Sequence, residues 1–104
     1  MLDREFFLGF IKIHILYHAS KESIFGAEIM EELARHGYNI SPGTLYPTLH
    51  RLEKEVYLKS SSKVVEGKVR KYYRATVEGK QVLEQSKKRI RELVTEVVNE
   101  KEAD

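Results

Sequence analysis

Gly43 and Pro47 are two helix-weakening residues inside a segment of otherwise helical pattern, SPGTLYPTLHRLEKEVY, residues 41–57. Pro47 has no amide hydrogen to donate to the carbonyl of residue 43, and its ring crowds that carbonyl. Glycine at position 43 can absorb the distortion because it lacks a Cβ atom. We therefore predict a bent helix, with one narrow inward stripe at helical spacing formed by Leu45, Leu49, Leu52 and Val56.

The beginning of this helix combines Ser41 as the predicted N-cap with Pro42 at the first helical position, where a missing amide hydrogen costs nothing. Its outward side lacks the Glu/Lys mixture of an ordinary solvated helix. That side instead carries small, hydroxyl-bearing and basic residues, which favours contact with a negatively charged partner. These outward residues are Thr44, His50, Arg51 and Lys54.

The remaining pattern predicts a mostly α-helical fold with a small β-hairpin. Two runs rich in Val, Tyr and Ser/Thr flank Glu66-Gly67 and predict the hairpin. Gly37 is the expected left-handed stop of the second helix, and Thr76 the expected cap of the last. The predicted helices cover about residues 3–19, 25–36, 41–56 and 77–104, and the predicted strands cover residues 57–64 and 69–76.

Positive charge is concentrated in the predicted hairpin although the whole chain has a formal net charge of only +2. Within residues 57–76 the single acidic residue is Glu66, so a polyanion is the first partner to consider. Alternation along the second strand predicts that Val69, Lys71, Tyr73 and Ala75 face the domain. The basic residues of this stretch are Lys59, Lys63, Lys68, Arg70, Lys71 and Arg74.

Composition excludes several classes of function. The chain has no cysteine, which excludes disulfides and Cys-based zinc sites and fits a cytoplasmic protein. Its most apolar stretch, residues 6–19, is interrupted by Lys12 and His14 and is shorter than the ~20 residues that a membrane span needs. No pattern indicates a catalytic triad or a phosphate-binding loop, so we expect neither an enzyme nor a cofactor.

The order helix, helix, turn, helix, basic hairpin, helix is that of a winged helix-turn-helix. The runs GAEIMEELARHGYNISPGTLYPTLHRLEKEVYLKS and EGKVRKYYRATVEGKQVL resemble the PadR family of transcriptional regulators, and the resemblance covers residues 5 to about 85. One departure is Val56, which stands where the family pattern generally has glycine. The resemblance implies a winged helix-turn-helix DNA-binding domain over residues 1–76 and a dimerisation helix over residues 77–104.

The resemblance also implies a homodimeric repressor that binds double-stranded DNA at a palindromic operator. In helix-turn-helix proteins the beginning of the second helix meets the base edges, and a basic wing contacts phosphate. Tyr46 lies at the border of the apolar stripe and could contact DNA backbone or pack inside the domain. The expected DNA-binding residues are Ser41, Pro42, Gly43, Thr44, Tyr46, His50, Arg51, Lys68, Arg70 and Lys71.

Dimerisation is expected through the first and last helices, sometimes with a small-molecule effector near the interface in this family. The first helix is apolar on more than one side, and the last carries an apolar stripe at spacings of three and four. The expected dimerisation residues are Phe6, Phe7, Phe10, Leu83, Ile90, Leu93, Val94 and Val97.

Two other interpretations follow from the sequence. A winged-helix adaptor that binds protein through its first and last helices is the alternative function, although it would not require the localised positive charge. His14 and His18 stand at i and i+4, a spacing that can chelate a metal. No HExxH motif or nearby carboxylate set completes a site, so we interpret them as ordinary helix positions and expect no metal site.

Overall fold

The computed structural model describes residues 2–100, with the side chains of residues 4–100. Its fold is a set of four helices around a small antiparallel sheet, as the sequence predicts. The last helix continues beyond α4 as a π-helical segment, Val94–Val98. The elements are α1 (Leu2–Lys21), β1 (Ile24–Phe25), α2 (Gly26–Arg35), α3 (Pro42–Lys54), β2 (Leu58–Val65), β3 (Lys68–Ala75) and α4 (Val77–Leu93).

The hydrophobic core lies where α1, α2 and α3 meet the base of the sheet. Tyr73 of β3 is the largest fully buried side chain. The core is continuous from α1 to the first half of α4, so the helices and the hairpin base form one packed unit. Its other members include Ile11, Ile15, Leu16, Ile29, Leu33, Leu45, Leu49, Leu52, Leu58 and Leu83.

Helix α3 begins at Pro42, and Ser41 before it has extended backbone, as predicted for an N-cap. The Ser41 side chain makes no capping bond to the helix backbone; its hydroxyl lies 3.3 Å from Thr44 Oγ1 and donates to it. The helix runs without interruption through Pro47.

Val56 departs from the predicted inward stripe. It lies beyond the end of α3, is 56% exposed and has a left-handed backbone with φ of 63°. The amide of Tyr57 donates to the carbonyl of Leu52 at 2.9 Å, and the amide of Val56 donates to the backbone carbonyl of Glu53 at 3.0 Å. These two bonds close the helix as a Schellman motif, in which the position of Val56 is normally glycine. The inward stripe therefore ends at Leu52.

The sheet has three strands in the order β1-β3-β2, so a short strand absent from the prediction adds to the hairpin. In β1, Ile24 pairs with Tyr73 and Phe25 pairs with Tyr72. The predicted turn is confirmed, because Glu66 and Gly67 have φ of 51° and 77°. Two consecutive positive φ values are typical of the type I′ turn that joins twisted strands tightly.

The predicted inward face of β3 is correct only at the base of the hairpin. Tyr73 and Ala75 are buried, whereas Val69 is 72% exposed and lies opposite Val64. The hairpin extends beyond the core, and no helix in the described part of the chain covers its tip. The prediction for Val69 was wrong for this reason.

Thr76 caps α4 as predicted, and it also joins α4 to the end of α3. Its hydroxyl accepts a hydrogen bond from the amide of Gly79 at 2.9 Å and donates to the carbonyl of Val56 at 2.5 Å. A Cβ atom at Gly79 would collide with the Tyr57 carbonyl, which explains the glycine there. The backbone leaving α3 is thus held directly against the first turn of α4.

Leu83 corrects one expectation about dimerisation. It is only 3% exposed and packs in the core of its own chain, so it is not free to contact a second subunit. Phe7 is also partly buried against the core, with its ring 5.4 Å from that of Tyr38. The π-helical winding from Val94 additionally ends the regular spacing on which the predicted stripe depends.

Candidate nucleic-acid interface

Most of the basic residues of the hairpin share one face of the sheet. Direct pairing places Lys59 opposite Arg74, and Lys63 opposite Arg70. Side chains opposite each other in an antiparallel pair point to the same side, and those two residues apart along a strand do so too. We call this the cationic face; it consists of Lys59, Lys63, Lys68, Arg70 and Arg74.

Aromatic rings support the cations of this face. The Arg70 guanidinium lies 4.4 Å from the centre of the Phe25 ring, and Lys63 Nζ lies 5.2 Å from that of Tyr72. The Phe25 and Tyr72 rings meet edge to face at 5.4 Å. Because a cation is attracted to the face of an aromatic ring, these contacts hold the long side chains over the sheet without neutralising them.

Lys71 lies on the opposite face and differs from the other basic residues of the hairpin. Its Nζ is 3.6 Å from Glu53 Oε1, and the Ser60 hydroxyl donates to Glu53 Oε2 at 2.5 Å. The hydrogen bond from Ser60, together with the charge of Lys71, lowers the pKa of Glu53. We call these three residues the Glu53 clasp; it joins the end of α3 to both strands of the hairpin.

The predicted DNA-reading end of α3 is open to solvent. Ser41, Pro42, Gly43, His50 and Arg51 are all exposed. A Cβ atom at position 43 would meet only the Ser41 hydroxyl, at an ordinary 3.7 Å. Packing within the chain therefore does not require glycine there, and a ligand can approach the backbone closely.

Tyr46 connects this end of α3 to the sheet. A Cβ atom at Gly26 would lie 2.9 Å from Tyr46 Cε1, so the ring packs directly on the beginning of α2. The ring is nevertheless 39% exposed, which leaves both interpretations of Tyr46 compatible with its position. The ring of Phe25, the residue before Gly26, contacts the guanidinium of Arg70 on the cationic face. Tyr46 of α3 and Arg70 of the cationic face thus contact two adjacent residues, Gly26 and Phe25.

Helix α1 contributes two basic residues that the sequence did not predict. Arg4 and Lys12 line a groove of about 330 Å³ between α1 and α3, and Arg51 lies on its other side. The sequence does not predict that Arg4 and Lys12 lie near Arg51, because nothing in the sequence of α1 indicates where α3 packs on it. The groove brings three cations beside the beginning of α3.

Comparison with known proteins identifies the fold. The family model described as "Transcriptional regulator PadR-like family" matches residues 15–85. The chain belongs to the PadR family. It is 47% identical over 95 residues to "Transcriptional regulator Rv3488" of Mycobacterium tuberculosis (strain ATCC 25618 / H37Rv), covering 91% of this chain and 89% of that protein. PadR proteins are transcriptional regulators rather than enzymes.

Solved structures of PadR proteins share the whole architecture. A PadR-like transcription factor from Bacteroides fragilis matches with a TM-score of 0.82 at 28% identity, over 95% of this chain and 96% of that one. A PadR-like transcriptional regulator from Bacillus cereus strain ATCC 14579 matches with a TM-score of 0.79 at 35% identity, over 88% and 90%. The expected winged helix-turn-helix fold is confirmed.

Apolar side chains remain exposed on α1 and at the end of the last helix. Phe6 and Phe10 are 49% and 44% exposed, and their rings stack at 5.8 Å. Leu93, Val94 and Val97 are exposed, and Ile90 is half-buried. Within residues 2–100, no helix is both long and apolar enough to cross a membrane.

Proposed function

We propose that this PadR protein is a homodimeric repressor that binds a palindromic operator in double-stranded DNA. The observation that carries the proposal is that α3 and the cationic face contact adjacent residues: Tyr46 packs on Gly26, and Arg70 lies over the ring of Phe25. A helix end that is accessible to base edges, beside a basic ribbon that can follow phosphates, suits the geometry of duplex recognition.

Base contact is assigned to the exposed end of α3. Ser41 and Thr44 supply hydroxyls, and Gly43 lets the backbone approach the duplex. Arg51 lies further along the same exposed side, beside Lys12 and Arg4, so this group supplies phosphate or base-edge contacts. His50 is also exposed on α3 and belongs to the same proposed surface.

Phosphate contact is assigned to Lys68 and Arg70 of the wing. Lys71 has a smaller role than the sequence predicts, because its charge is engaged by Glu53 in the free protein. If each subunit meets three or four phosphates, the slope of log affinity against log salt is about −5 to −7 for the dimer.

Replacing Arg70 with alanine tests the phosphate assignment. We expect Arg70→Ala to weaken binding to operator and to random DNA alike, and to reduce the salt slope by about 2 per dimer, about 0.9 for each lost phosphate contact. The measurement is fluorescence anisotropy with labelled duplexes across a salt series.

Arg35→Ala is the matched control, because Arg35 is exposed but already paired with Glu31 and Glu32 on α2. This variant should retain the wild-type slope. An affinity that does not vary with salt, or equal effects of Arg35→Ala and Arg70→Ala, would contradict the proposal. A wild-type protein that retards no genomic fragment at low salt would instead favour the protein-binding adaptor.

Release by a small-molecule effector near the subunit interface completes the proposal. The stacked Phe6 and Phe10 rings, exposed on α1, offer an apolar aromatic surface for such a compound. An effector of this kind would lower operator affinity without dissociating the dimer. Anisotropy and sedimentation on the same sample distinguish these two effects.

A further inference from the structure

Three of the four histidines of the chain meet at one place, remote from the cationic face in the sequence. His14 and His18 lie one turn apart on α1, and His36 follows the last residue of α2. One ring nitrogen from each lies within 4.8 Å of those of the others. The His14 and His36 rings stack at 4.7 Å between centroids. The i and i+4 pair is therefore completed by a third imidazole from a different helix.

One ring nitrogen of the cluster is buried without a protein partner within the described residues. His18 Nε2 is buried and accepts or donates no hydrogen bond within the described residues. The nearest carboxylate oxygen, Glu32 Oε2, is 3.8 Å away, too far for a hydrogen bond. A buried nitrogen without a partner is unfavourable, and a metal ion would satisfy it.

Burial and the close approach of the rings favour neutral imidazole at His14. Burial, followed by the charges of His36 and His18, lowers the pKa of His14. Neutral imidazole is the form that coordinates metal, whereas three imidazolium ions so close together would repel one another. His36 is exposed, so an ion can enter from solvent.

We propose that His14, His18 and His36 bind a divalent transition-metal ion of the Zn²⁺ class. Zn²⁺ accepts three histidines plus one further ligand in a tetrahedral site, with Zn–N distances of about 2.0–2.1 Å. The three ring nitrogens now lie within 4.8 Å of one another, and side-chain rotation would bring all three within bonding distance of one shared ion. The carboxylate of Glu32 is placed either to supply the fourth ligand or to orient His18.

The proposed ion would join α1 to the end of α2, the first helix of the helix-turn-helix pair. The other oxygen of Glu32, Oε1, accepts a hydrogen bond from the Arg35 guanidinium at 2.6 Å, which fixes the carboxylate beside the cluster. The metal site depends on none of the proposed DNA contacts. Its test therefore succeeds or fails independently of the proposed repressor function.

The experiment is a titration of tag-free, metal-free full-length protein with Zn²⁺ by calorimetry and by competition with a chromophoric chelator. We expect one ion per chain and a higher Tm in its presence. Removal of a residue that only hydrogen-bonds to a metal ligand typically weakens metal binding by about 10–100-fold, so loss of a ligand in His36→Ala should weaken it by at least about 100-fold. His36 is exposed, so this variant should fold.

His50→Ala is the matched control, because His50 is the fourth histidine and lies on α3 outside the cluster. It should bind Zn²⁺ as the wild type does, and Glu32→Gln should bind about tenfold more weakly. Co²⁺ in the wild-type protein should give the visible absorption of a tetrahedral complex. No uptake of Zn²⁺ by the wild type, or equal binding by His36→Ala and His50→Ala, would overturn the proposal.

Discussion

At the scale of single residues, Val56 and Gly37 occupy the same position after two different helices. Both have positive φ, 63° for Val56 and 86° for Gly37, and both follow a helix closed by the same pair of backbone bonds. Glycine adopts this conformation freely, whereas a β-branched side chain makes it a genuine outlier. The end of α3 is therefore strained where the end of α2 is relaxed.

Val56→Gly should stabilise the protein by about 1 kcal/mol. The left-handed conformation costs an L-residue roughly 1–2 kcal/mol, and part of the gain is offset by the greater freedom of glycine in the unfolded chain. Val56 is exposed, so its side chain contributes little packing. Urea denaturation followed by circular dichroism measures the change.

Val56→Ala is the control for this prediction, since alanine retains the Cβ atom and should recover much less stability. A Val56→Gly variant that is no more stable than Val56→Ala would show that the backbone at this position is not the source of the strain.

The sequence predicted the backbone role of those residues whose conformation depends only on near neighbours in the chain. Gly37, Gly67 and Thr76 take the predicted roles because a left-handed stop, a tight turn and a helix cap each depend on a few neighbours. Val56 takes a role that its own preferences oppose, so only the connection between α3 and β2 determines it. His36 meets His14 through the packing of α2 on α1, and nothing in its local sequence indicates that contact.

At the scale of elements, the Glu53 clasp ties α3 to the hairpin and makes their connection sensitive to acid. The pKa of Glu53 is lowered in the folded protein, so its contribution is present above the unfolded pKa, about 4.3. That contribution disappears as the pH falls through the lower, folded pKa. The Glu53 side chain is 33% exposed, so screening by solvent keeps its contribution below about 1 kcal/mol.

Glu53→Gln should lower the Tm at pH 7, and the difference from wild type should shrink as the pH falls from 7 towards 3. Thermal melts over this pH range make the measurement. Glu66→Gln at the hairpin turn removes the same charge away from the clasp and should show no such convergence. A Glu53→Gln difference that stays constant with pH would mean that ionisation of Glu53 does not hold the clasp.

The elements that the sequence predicted are those with a sustained pattern. The helices and both hairpin strands have apolar spacing or alternation over eight or more residues. The sequence did not predict strand β1, because a strand of two residues, Ile24 and Phe25, is too short to show alternation. Its partner, β3, is also distant in the sequence. The cationic face was predicted in part: Arg70 and Arg74 face outward, while Lys71 engages Glu53.

At the scale of the whole molecule, the chain is elongated, with extents of 61 × 28 × 22 Å. Within residues 2–100, apolar residues near the end of the last helix remain uncovered, and Val97 and Val98 are 59% and 68% exposed. A second subunit that covers this surface and the exposed part of α1 would bury it. The apolar spacing of the last helix predicted such an interface. Spacing alone could not show that Leu83 is buried in the core of its own chain whereas Val97 is exposed.

Val97→Asp should convert the proposed dimer into a folded monomer, because the interface would have to bury an unpaired charge. Val77→Asp is the matched control: Val77 is 70% exposed at the other end of α4, where an acidic side chain suits the helix N-terminus. Sedimentation velocity at micromolar concentration makes the measurement. A wild-type monomer, or a Val97→Asp dimer, would contradict the proposed assembly.

The hydrogen bonds of Thr76 have a consequence for how such a dimer responds to its environment. Thr76 bonds to the backbone at Val56, and Gly79 packs against that of Tyr57, so the beginning of α4 is joined directly to the end of α3. Half-sites on B-DNA recur about every 34 Å, one helical turn. In the proposed dimer, a small rotation between the paired last helices would change the distance between the two α3 helices. The α3 helices would then no longer match successive major grooves, so a change at the dimer interface would alter affinity for the operator.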